Sequence, residues 1–508
     1  MQYPDSPLHA YVEAARRRIG QLQEPGEANW RAVVDRGIGE ALGAGDLSGF
    51  TRVVQLVAHL LESEGRFDAI LSEIDAALEL TAAHPGPTAS LLALRASVLP
   101  TFGLIEEARG TADRAAELAE THLTGESRLK ALALVESTRL VILDPPSPTL
   151  PKLLAELTAE ARELDHLFLL SWRIPYLAAR GEVAGARPLI RLGRAMAGSQ
   201  DARLRLADSA VFERWQSIVS GTEIAGDGRV DGRAHIPAWR DAWLDYWVAI
   251  LRRDWGAAES ARETLARRAR RLGHHTGDPA HVDALLEAAM GIRLRELSPT
   301  PVQSLTLDNL PSNLAAAYSV AIAGSANDAV RWLEWSTKLR RRGIVTSLEA
   351  PIAVTRIQGL LALRAGKQAA ARRWLDEAAT EATTGMKLEA ALAGVQVKEL
   401  RMKAGVADGE HGDEREKLTD LGIDPVPHQY LVHLAWDAGR APRSRPLLTP
   451  RELEVLKRLD RGRTYKEAAT EMGISWTTVR TLAHRVYEKL GVTKRMEAVA
   501  AARRQGLL

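Results

Sequence analysis

The sequence contains no cysteine among its 508 residues. This absence excludes a disulfide framework, a thiolate zinc site and a cysteine nucleophile, and it suits a reducing compartment. The longest apolar patch, Leu167 to Ala179, is too short for a bilayer and is interrupted by Arg173 and Pro175. No basic start followed by an apolar core marks a secretory signal at the N-terminus. We therefore expect a cytoplasmic protein without a membrane span.

Signatures of enzymes and ligand sites are missing as well. The stretch from Gly221 to Gly228 begins like a phosphate-binding loop but lacks the Lys-Ser/Thr pair that such loops need. Histidines and aspartates cluster between Gly273 and Asp283, but Asp278-Pro279 within that cluster is typical of a helix start. We interpret the cluster as a loop and a first helical turn rather than a metal site. The sequence predicts no catalytic residue, no metal and no cofactor.

Charge is unevenly distributed along the chain, although the net charge is only +2. Residues 447–508 hold 13 Lys and Arg against 7 Asp and Glu, whereas the other 446 residues hold 54 against 58. A small basic tail on an acidic body favours a polyanionic partner for the tail. A solvated surface that happens to be basic is the alternative explanation.

Proline, glycine and arginine mark a boundary before this tail. The stretch from Ala438 to Leu448 has two prolines, one glycine and three arginines, with no helical apolar stripe. We predict a helical-repeat sensor or interaction domain over residues 1–440, a linker over 441–446 and a second domain over 447–508.

The long first segment is rich in alanine and leucine and lacks the alternating β-branched runs of strands. An alanine recurs four or five residues after a Gly or Asp turn, and three of these alanines are repeated seven residues later. The pairs are Gly65–Ala69, Gly103–Ala108, Gly181–Ala186, Asp254–Ala258, Gly324–Ala329 and Gly366–Ala371, with Ala76, Ala115 and Ala378 as the later alanines. Small residues at this spacing let antiparallel helices approach closely, as in a helical-hairpin solenoid. Residues 65–80 resemble a tetratricopeptide repeat, and the long intervals between copies indicate divergent repeats.

Three tryptophans form the main aromatic feature of this segment. Trp239, Trp243 and Trp247 are spaced at i, i+4 and i+8 and so share one helix face. The default interpretation is core packing. The alternative is an apolar wall of a groove that receives a small-molecule or peptide effector.

Capping signals predict four short helices after the linker, which completes an all-α chain. The helix starts are Thr449-Pro450, Thr464-Tyr465-Lys466-Glu467, Ser475 and Thr493, and the stops are Gly462, Gly473 and Gly491. The second and third helices, joined by a turn at Gly473, form a helix-turn-helix pattern. Such a unit lays its second element in the major groove of DNA.

The predicted third helix, residues 476–490, has two different faces. The apolar face consists of Val479, Ala483, Val486 and Leu490, and the other face of Thr477, Arg480, Thr481, His484 and Arg485. We expect the apolar face to pack on the other helices, which leaves the cationic face for base edges and phosphates.

The segment "LTPRELEVLKRLDRGRTYKEAATEMGISWTTVRTLAHRVYEKLGV" resembles the LuxR-type helix-turn-helix of bacterial transcription regulators. The matching stretches are Leu448 to Leu456, Gly462 to Ala469, Ile474 to Arg480 and Lys489 to Val492. Ala468 stands where Ile or Val is usual, and Leu482 where His is common. Because Leu482 leans toward the packed side, we expect a repacked helix. Trp476, at a usually polar position, either lies against the sugar-phosphate backbone or covers Tyr487 or another neighbour.

The resemblance implies which residues touch DNA. Its base-reading positions correspond to Arg480, Thr481 and His484. The residues expected to contact phosphates are Lys466, Thr477, Thr478, Lys489, Thr493 and Lys494. The family also implies dimers on two-fold operators, with Val499 and Ala502 of the last helix in the dimer contact.

Two functions follow from these features. The first is a sequence-specific transcription regulator that binds double-stranded DNA as a homodimer, with a repeat domain that senses an effector or docks a protein partner. RNA polymerase is a further candidate partner. The second is a helical-repeat interaction scaffold whose DNA-binding tail is vestigial or non-specific.

Overall fold

A computed structural model describes residues 44–502 of the chain apart from several segments. The omitted residues are 64–66, 161–162, 197–206, 223–234, 273–277, 293, 295, 381–385, 405–413, 441–447, 449, 491–494, 496–497 and 500–501. The described part is helical and contains no strand, which confirms the predicted all-α class. None of its helices is both long and apolar enough to cross a membrane. The predicted linker, residues 441–446, lies outside the described residues.

The chain divides into two compact units, Met1–Trp436 and Asp437–Leu508. The helices up to the linker are α1 Leu47–Ser63, α2 Phe67–Thr81, α3 Pro85–Val98, α4 Ile105–His122, α5 Gly125–Val141, α6 Leu150–Ala159, α7 Glu163–Ala179, α8 Val183–Met196, α9 Ala207–Ser220, α10 His235–Arg252, α11 Trp255–Leu272, α12 Pro279–Ala289, α13 Leu310–Ala323, α14 Ala326–Arg341, α15 Val354–Arg364, α16 Gln368–Thr380, α17 Lys387–Lys403, α18 Glu414–Asp420 and α19 Pro425–Arg440.

Each helix of the first unit packs mainly on the helices next to it or next but one in the chain, as in a helical-hairpin array. The alanines of the predicted repeat lie at these contacts. Those that are fully buried are Ala108, Ala115, Ala186, Ala258, Ala329, Ala371 and Ala378. Ala76 is an exception, because α2 buries the adjacent Ala77 instead and leaves Ala76 exposed. The two positions point about 100° apart on a helix, so α2 is rotated by one residue relative to the predicted pattern.

Two helices are surrounded on all sides. Every residue of α13 from Leu310 to Ile322 is buried, and so is every residue of α15. Parts of the chain about 200 residues apart meet at Arg342. The guanidinium of Arg342 donates to the carbonyl of Val302 at 2.6 Å, to that of Leu143 at 3.2 Å and to the Asp144 carboxylate at 3.1 Å. The array therefore curls until distant repeats touch.

Charged side chains form hydrogen bonds with buried polar groups in the interior of the first unit. Arg356 and Glu389, both buried, form two hydrogen bonds of 2.8 and 2.9 Å, and Glu389 also accepts from the amide of Ala353 at 2.7 Å. Arg364 donates to the carbonyls of Ala321, Ile322 and Gly324, which are free because α13 ends there. A buried charge persists only when it is paired or hydrogen-bonded in this way.

The three tryptophans of the aromatic stripe lie in the core. Trp239, Trp243 and Trp247 are 2%, 1% and 1% exposed. Trp239 and Trp243 meet edge to face at 6.3 Å between ring centroids, and Trp247 lies 5.6 Å from the ring of Tyr318 on α13. The stripe therefore packs between helices and does not form the wall of an open groove.

The histidine-rich stretch contains the predicted helix start. Asp278 caps α12 by accepting a hydrogen bond from the amide of Ala280 at 2.9 Å, and Pro279 is the first helical residue. Asp283 pairs with Arg262 at 2.8 Å. His274 and His275 lie outside the described residues.

Gly359 permits the close approach of α15 and α16, which gives a test of packing. A Cβ atom at this position would lie 2.5 Å from Cγ of Leu375. We expect Gly359→Ala to destabilise the protein by roughly 1–3 kcal/mol because the helices must separate. Urea unfolding followed by circular dichroism measures this loss.

Gly110 provides the matched control, since it lies within α4, is exposed and has no atom within 4 Å of a built Cβ. Gly110→Ala should stabilise the chain by up to about 1 kcal/mol through helix propensity. Equal effects of the two substitutions would contradict the close packing of α15 on α16.

The lowered pKa of His428 predicts how the stability of the protein depends on pH. This buried side chain of α19 lies with Nε2 3.3 Å from the carbonyl oxygen of Leu251, and burial, reinforced by the charge of Arg356, lowers its pKa to about 4. The pKa of this histidine is near 6.5 in the unfolded chain and about 4 in the folded chain, so between pH 6.5 and pH 4 the unfolded chain binds the proton more tightly than the folded chain does. His428 should therefore cost roughly 3 kcal/mol of stability as pH falls from 6.5 to 4.

The measurement is the unfolding free energy at several pH values for the wild type and His428→Gln. The variant should show a shallower loss below pH 6.5. Some slope should remain, because burial also lowers the pKa of His281. Substitution of the exposed His84 by Gln is the control, and a variant slope equal to that of the wild type would contradict the assignment.

Candidate nucleic-acid interface

Three helices of the second unit form the candidate site. They are α20 Pro450–Asp460, α21 Tyr465–Met472 and α22 Trp476–Leu490. Their bounds agree with the predicted caps and stops. Of the predicted fourth helix, the described residues Arg495, Ala498, Val499 and Ala502 are helical.

Local hydrogen bonds fix the turn between α21 and α22. Thr464 and Glu467 form the predicted capping box, with the Thr464 amide donating to Glu467 Oε2 at 2.7 Å and the Glu467 amide donating to Thr464 Oγ1 at 3.3 Å. The hydrogen bonds from Thr464 lower the pKa of the Glu467 carboxyl. Gly473 ends α21 at φ +64°, a left-handed conformation that glycine adopts without strain. Ser475 then caps α22 by accepting from the amide of Thr478 at 3.1 Å.

One face of α22 is buried as predicted. Val479, Ala483 and Val486 are fully inaccessible and pack on apolar residues of α20 and α21. Leu482 is half-buried against the same core, which confirms that it leans toward the packed side. Arg495 donates to the carbonyl of Leu459 at 2.5 Å and joins the last helix to α20. These contacts fix the rotation of α22 about its axis.

The opposite face of α22 is exposed and cationic. Arg480, Thr481, His484 and Arg485 are all exposed, and the first turn of the helix has no acidic residue. By contrast, Arg458 and Arg463 are both paired with Glu471, at 3.3 and 2.7 Å. Arg480 forms no ion pair with any carboxylate in the described part of the chain. Among the described residues, the charge of Arg480 is therefore not neutralised by a carboxylate.

Trp476 supports the central arginine of this face. Its ring is 46% exposed, and the guanidinium carbon of Arg480 lies 5.9 Å from the ring centroid. A cation over an indole face is held by the ring quadrupole. The neighbour that Trp476 contacts is therefore Arg480. A contact of Trp476 with the sugar-phosphate backbone stays a prediction. The i, i+4 spacing of the two residues was the available signal. Tyr487 has a different partner, the hydroxyl of Tyr465 at 2.9 Å.

The remaining predicted DNA contacts are placed unevenly. Thr477 and Thr478 are exposed at the start of α22, where both hydroxyls lie 2.7 Å from Ser475 Oγ. The hydroxyl of Thr481 donates to the carbonyl of Thr477 at 3.0 Å. Lys466 is exposed in the first turn of α21. The side chain of Lys489 and the whole of Thr493 and Lys494 lie outside the described residues.

Of the two predicted dimer-contact residues, Ala502 lies in the core of its own unit and Val499 lies at the edge of that core. Ala502 is fully buried with Leu456 and Val486, and Val499 packs against the same cluster while staying half-exposed. Ala502 thus has no surface to offer a partner here, because its methyl group fills the contact between the last helix, α20 and α22. Only Val499 retains accessible area.

Helices α21 and α22, the tight turn at Gly473 and the exposed cationic face together define a helix-turn-helix domain. The model of the family "Bacterial regulatory proteins, luxR family" matches residues 446–502. The chain is 46% identical over 66 residues to the spore germination protein GerE of Bacillus subtilis, a match of 13% of this chain and 89% of GerE. The protein belongs to the luxR family of bacterial regulatory proteins.

Longer relatives match through a smaller part of their length. The probable transcriptional regulatory protein NarL of Mycobacterium tuberculosis is 46% identical over 69 residues, which are 14% of this chain and 32% of NarL. The HTH-type transcriptional activator RamA of Corynebacterium glutamicum is 51% identical over 110 residues, 22% of this chain and 34% of RamA. The chain thus spans about a third of the length of these two relatives.

Substitution in the capping box tests whether the Thr464 side chain stabilises the start of α21. We expect Thr464→Ala to destabilise the second unit by about 1 kcal/mol, because the amide of Glu467 loses its partner. Thr470→Ala on the same helix is the control. Thr470 is exposed, its hydroxyl bonds to the carbonyl of Lys466, and alanine favours the helix. Hydrogen exchange of the α21 amides reports the difference, and equal protection in both variants would argue against the cap.

Proposed function

We propose that the protein is a sequence-specific DNA-binding transcription regulator. The observation that carries this proposal is the exposed face of α22, where Arg480, Thr481 and His484 lie opposite fully buried Val479 and Ala483. A recognition helix needs this division, since one face must pack and the other must enter the major groove. Membership of the luxR family supports the same function.

Each exposed residue has a chemical role in this proposal. Arg480 would grip the O6 and N7 atoms of a guanine with two hydrogen bonds, and the Trp476 ring would restrict its guanidinium before DNA arrives. Thr481 and His484 would read neighbouring base edges. Thr477 and Thr478, at the helix N-terminus, and Lys466 would bind phosphates. Lys489, Thr493 and Lys494 remain predicted phosphate contacts.

The first unit would regulate this binding in the bacterial cytoplasm. Its role would be to sense a small-molecule or peptide effector or to dock a protein partner, RNA polymerase being one candidate, while the protein acts as a homodimer. The helical-repeat architecture supports an interaction role, because helical-repeat arrays offer large surfaces. The buried tryptophans of α10 are not part of an open effector groove, so another surface would serve.

The alternative, a scaffold with a vestigial tail, predicts a different DNA response. A vestigial tail would still bind DNA through its charge, but without preference for one sequence. Sequence preference that depends on Arg480 separates the two functions.

The test begins with selection of duplexes from a random library by the full-length protein. Arg480→Ala should weaken binding to the selected duplex by about 5- to 150-fold, equivalent to 1–3 kcal/mol, and should hardly change binding to random DNA. Lys466→Ala should weaken both duplexes equally and reduce the salt dependence by about one counterion, since a phosphate contact carries no sequence information. Fluorescence anisotropy at several salt concentrations measures the affinity for the selected duplex, the affinity for random DNA and the salt dependence of each.

Arg52→Ala removes an exposed arginine from the first unit and serves as the charge control. If no preferred duplex emerges, or if Arg480→Ala lowers both affinities by the same factor, the scaffold becomes the better description.

A further inference from the structure

One tryptophan of the second unit lies outside its apolar core. Trp476, the first residue of α22, is 46% exposed, and the two apolar clusters that the structure describes in this unit do not contain it. Of the twelve tryptophans in the chain, Trp30 lies outside the described residues and the other ten are buried or half-buried. The Trp476 ring forgoes the free energy of burial in the core, so its contacts are made on the outer face of the helix.

The ring lies beside Arg480, which is one helical turn further along α22. The guanidinium carbon of Arg480 is 5.9 Å from the ring centroid. Both backbone positions are fixed, because Ser475 caps the helix and fully buried Val479 anchors it in the core. Residues at i and i+4 are neighbours on a helix surface, and an indole face attracts a cation. The contact therefore belongs to α22 alone and exists before DNA binds.

A side chain as long as arginine must be ordered before it can read a base. Ordering it costs rotamer entropy, and two hydrogen bonds to a guanine require the planar guanidinium to lie in the plane of the base. A cation–π contact at an exposed site changes an equilibrium constant by roughly two- to fivefold. Such a contact is strong enough to favour one orientation of the guanidinium and too weak to bind DNA by itself.

We propose that Trp476 is a positioning residue that determines how well Arg480 discriminates guanine from the other bases. The ring holds the guanidinium in the orientation in which two of its N–H groups meet O6 and N7 of guanine. Trp476 itself forms no bond to a base. This inference rests on the proposed DNA binding and adds to it a residue that sets the sequence preference.

Two other roles for the same ring lead to different results. A ring against the sugar-phosphate backbone would strengthen binding to every sequence alike, since sugars and phosphates carry no direct sequence information. A ring that packs on a base, for example on the methyl group of a thymine, would be sequence-specific but independent of Arg480. Only a positioning role makes the effect of Trp476 both sequence-specific and dependent on Arg480.

The test is a double-mutant cycle in the full-length protein, with anisotropy measured on the selected duplex and on random DNA. Trp476→Leu should weaken binding to the selected duplex by roughly two- to fivefold and leave binding to random DNA unchanged. The same substitution should have no effect in the Arg480→Ala background. Trp476→Phe keeps an aromatic face and should recover part of the loss. Tyr430→Leu replaces an aromatic residue of the first unit that is 55% exposed, and this control should bind as the wild type does.

A second measurement needs no DNA. In full-length protein that carries isotope-labelled arginine, the nuclear magnetic resonance signal of the Arg480 Nε–H group can be assigned by its loss in Arg480→Ala. Because an aromatic ring shields nuclei that lie over its face, this signal should move when Trp476→Leu removes the ring. It should move less in Trp476→Phe.

The results that would overturn the proposal can be told apart. An Arg480 signal that does not move would mean that the contact is not populated in solution. Unchanged affinity of Trp476→Leu for the selected duplex, or equal losses on both duplexes, would remove the positioning role, and so would a loss that persists in the Arg480→Ala background. Failure of the wild type to select any duplex would overturn the proposed function and this inference together, whereas the other results overturn the positioning role alone.

Discussion

The complete burial of α13 and α15 is the constraint on which the first unit depends. A helix with no solvent-facing side must be enclosed by other helices, and its free terminal carbonyls must find partners inside the protein. Arg364 supplies those partners at the end of α13, and the Arg356–Glu389 pair neutralises charge beside it. Removal of one member of such a pair would leave an uncompensated buried charge. Polar contacts therefore decide where the array curls, while alanine decides how closely its helices approach.

The second unit has only one recognition helix to position, and it does so mainly through short-range contacts. Its caps, its glycine turn and the arginine that bonds to Leu459 fix a recognition helix that has only one face in the core. On the exposed face, Trp476 contacts Arg480 and the hydroxyl of Thr481 bonds to the carbonyl of Thr477. The backbone of the recognition helix is therefore fixed by the core, and the side chains that would meet DNA are held by contacts within the same helix.

The sequence predicted most where interactions are local. Helix starts at Thr464 and Ser475 and the turn at Gly473 depend on residues a few positions apart, and the structure confirms all three. The all-α class and the buried alanines followed from periodicity. The burial of the tryptophans in α10 depended on which helices surround α10, and periodicity identifies a face without identifying what covers it. The same limit applies to Ala502, whose helical spacing suits a dimer contact and a domain core equally well.

Contacts between distant repeats also bear on how the first unit unfolds. In an open solenoid each repeat touches only its neighbours, so ends can fray while the middle stays folded. Arg342 ties together segments near residues 143, 302 and 342, and the amide of Val345 donates to the carbonyl of Ala179 at 2.8 Å. Loss of any one segment would expose the interior faces of the others. The first unit should accordingly not fray repeat by repeat from its ends. It should unfold in one cooperative transition and behave as one rigid domain.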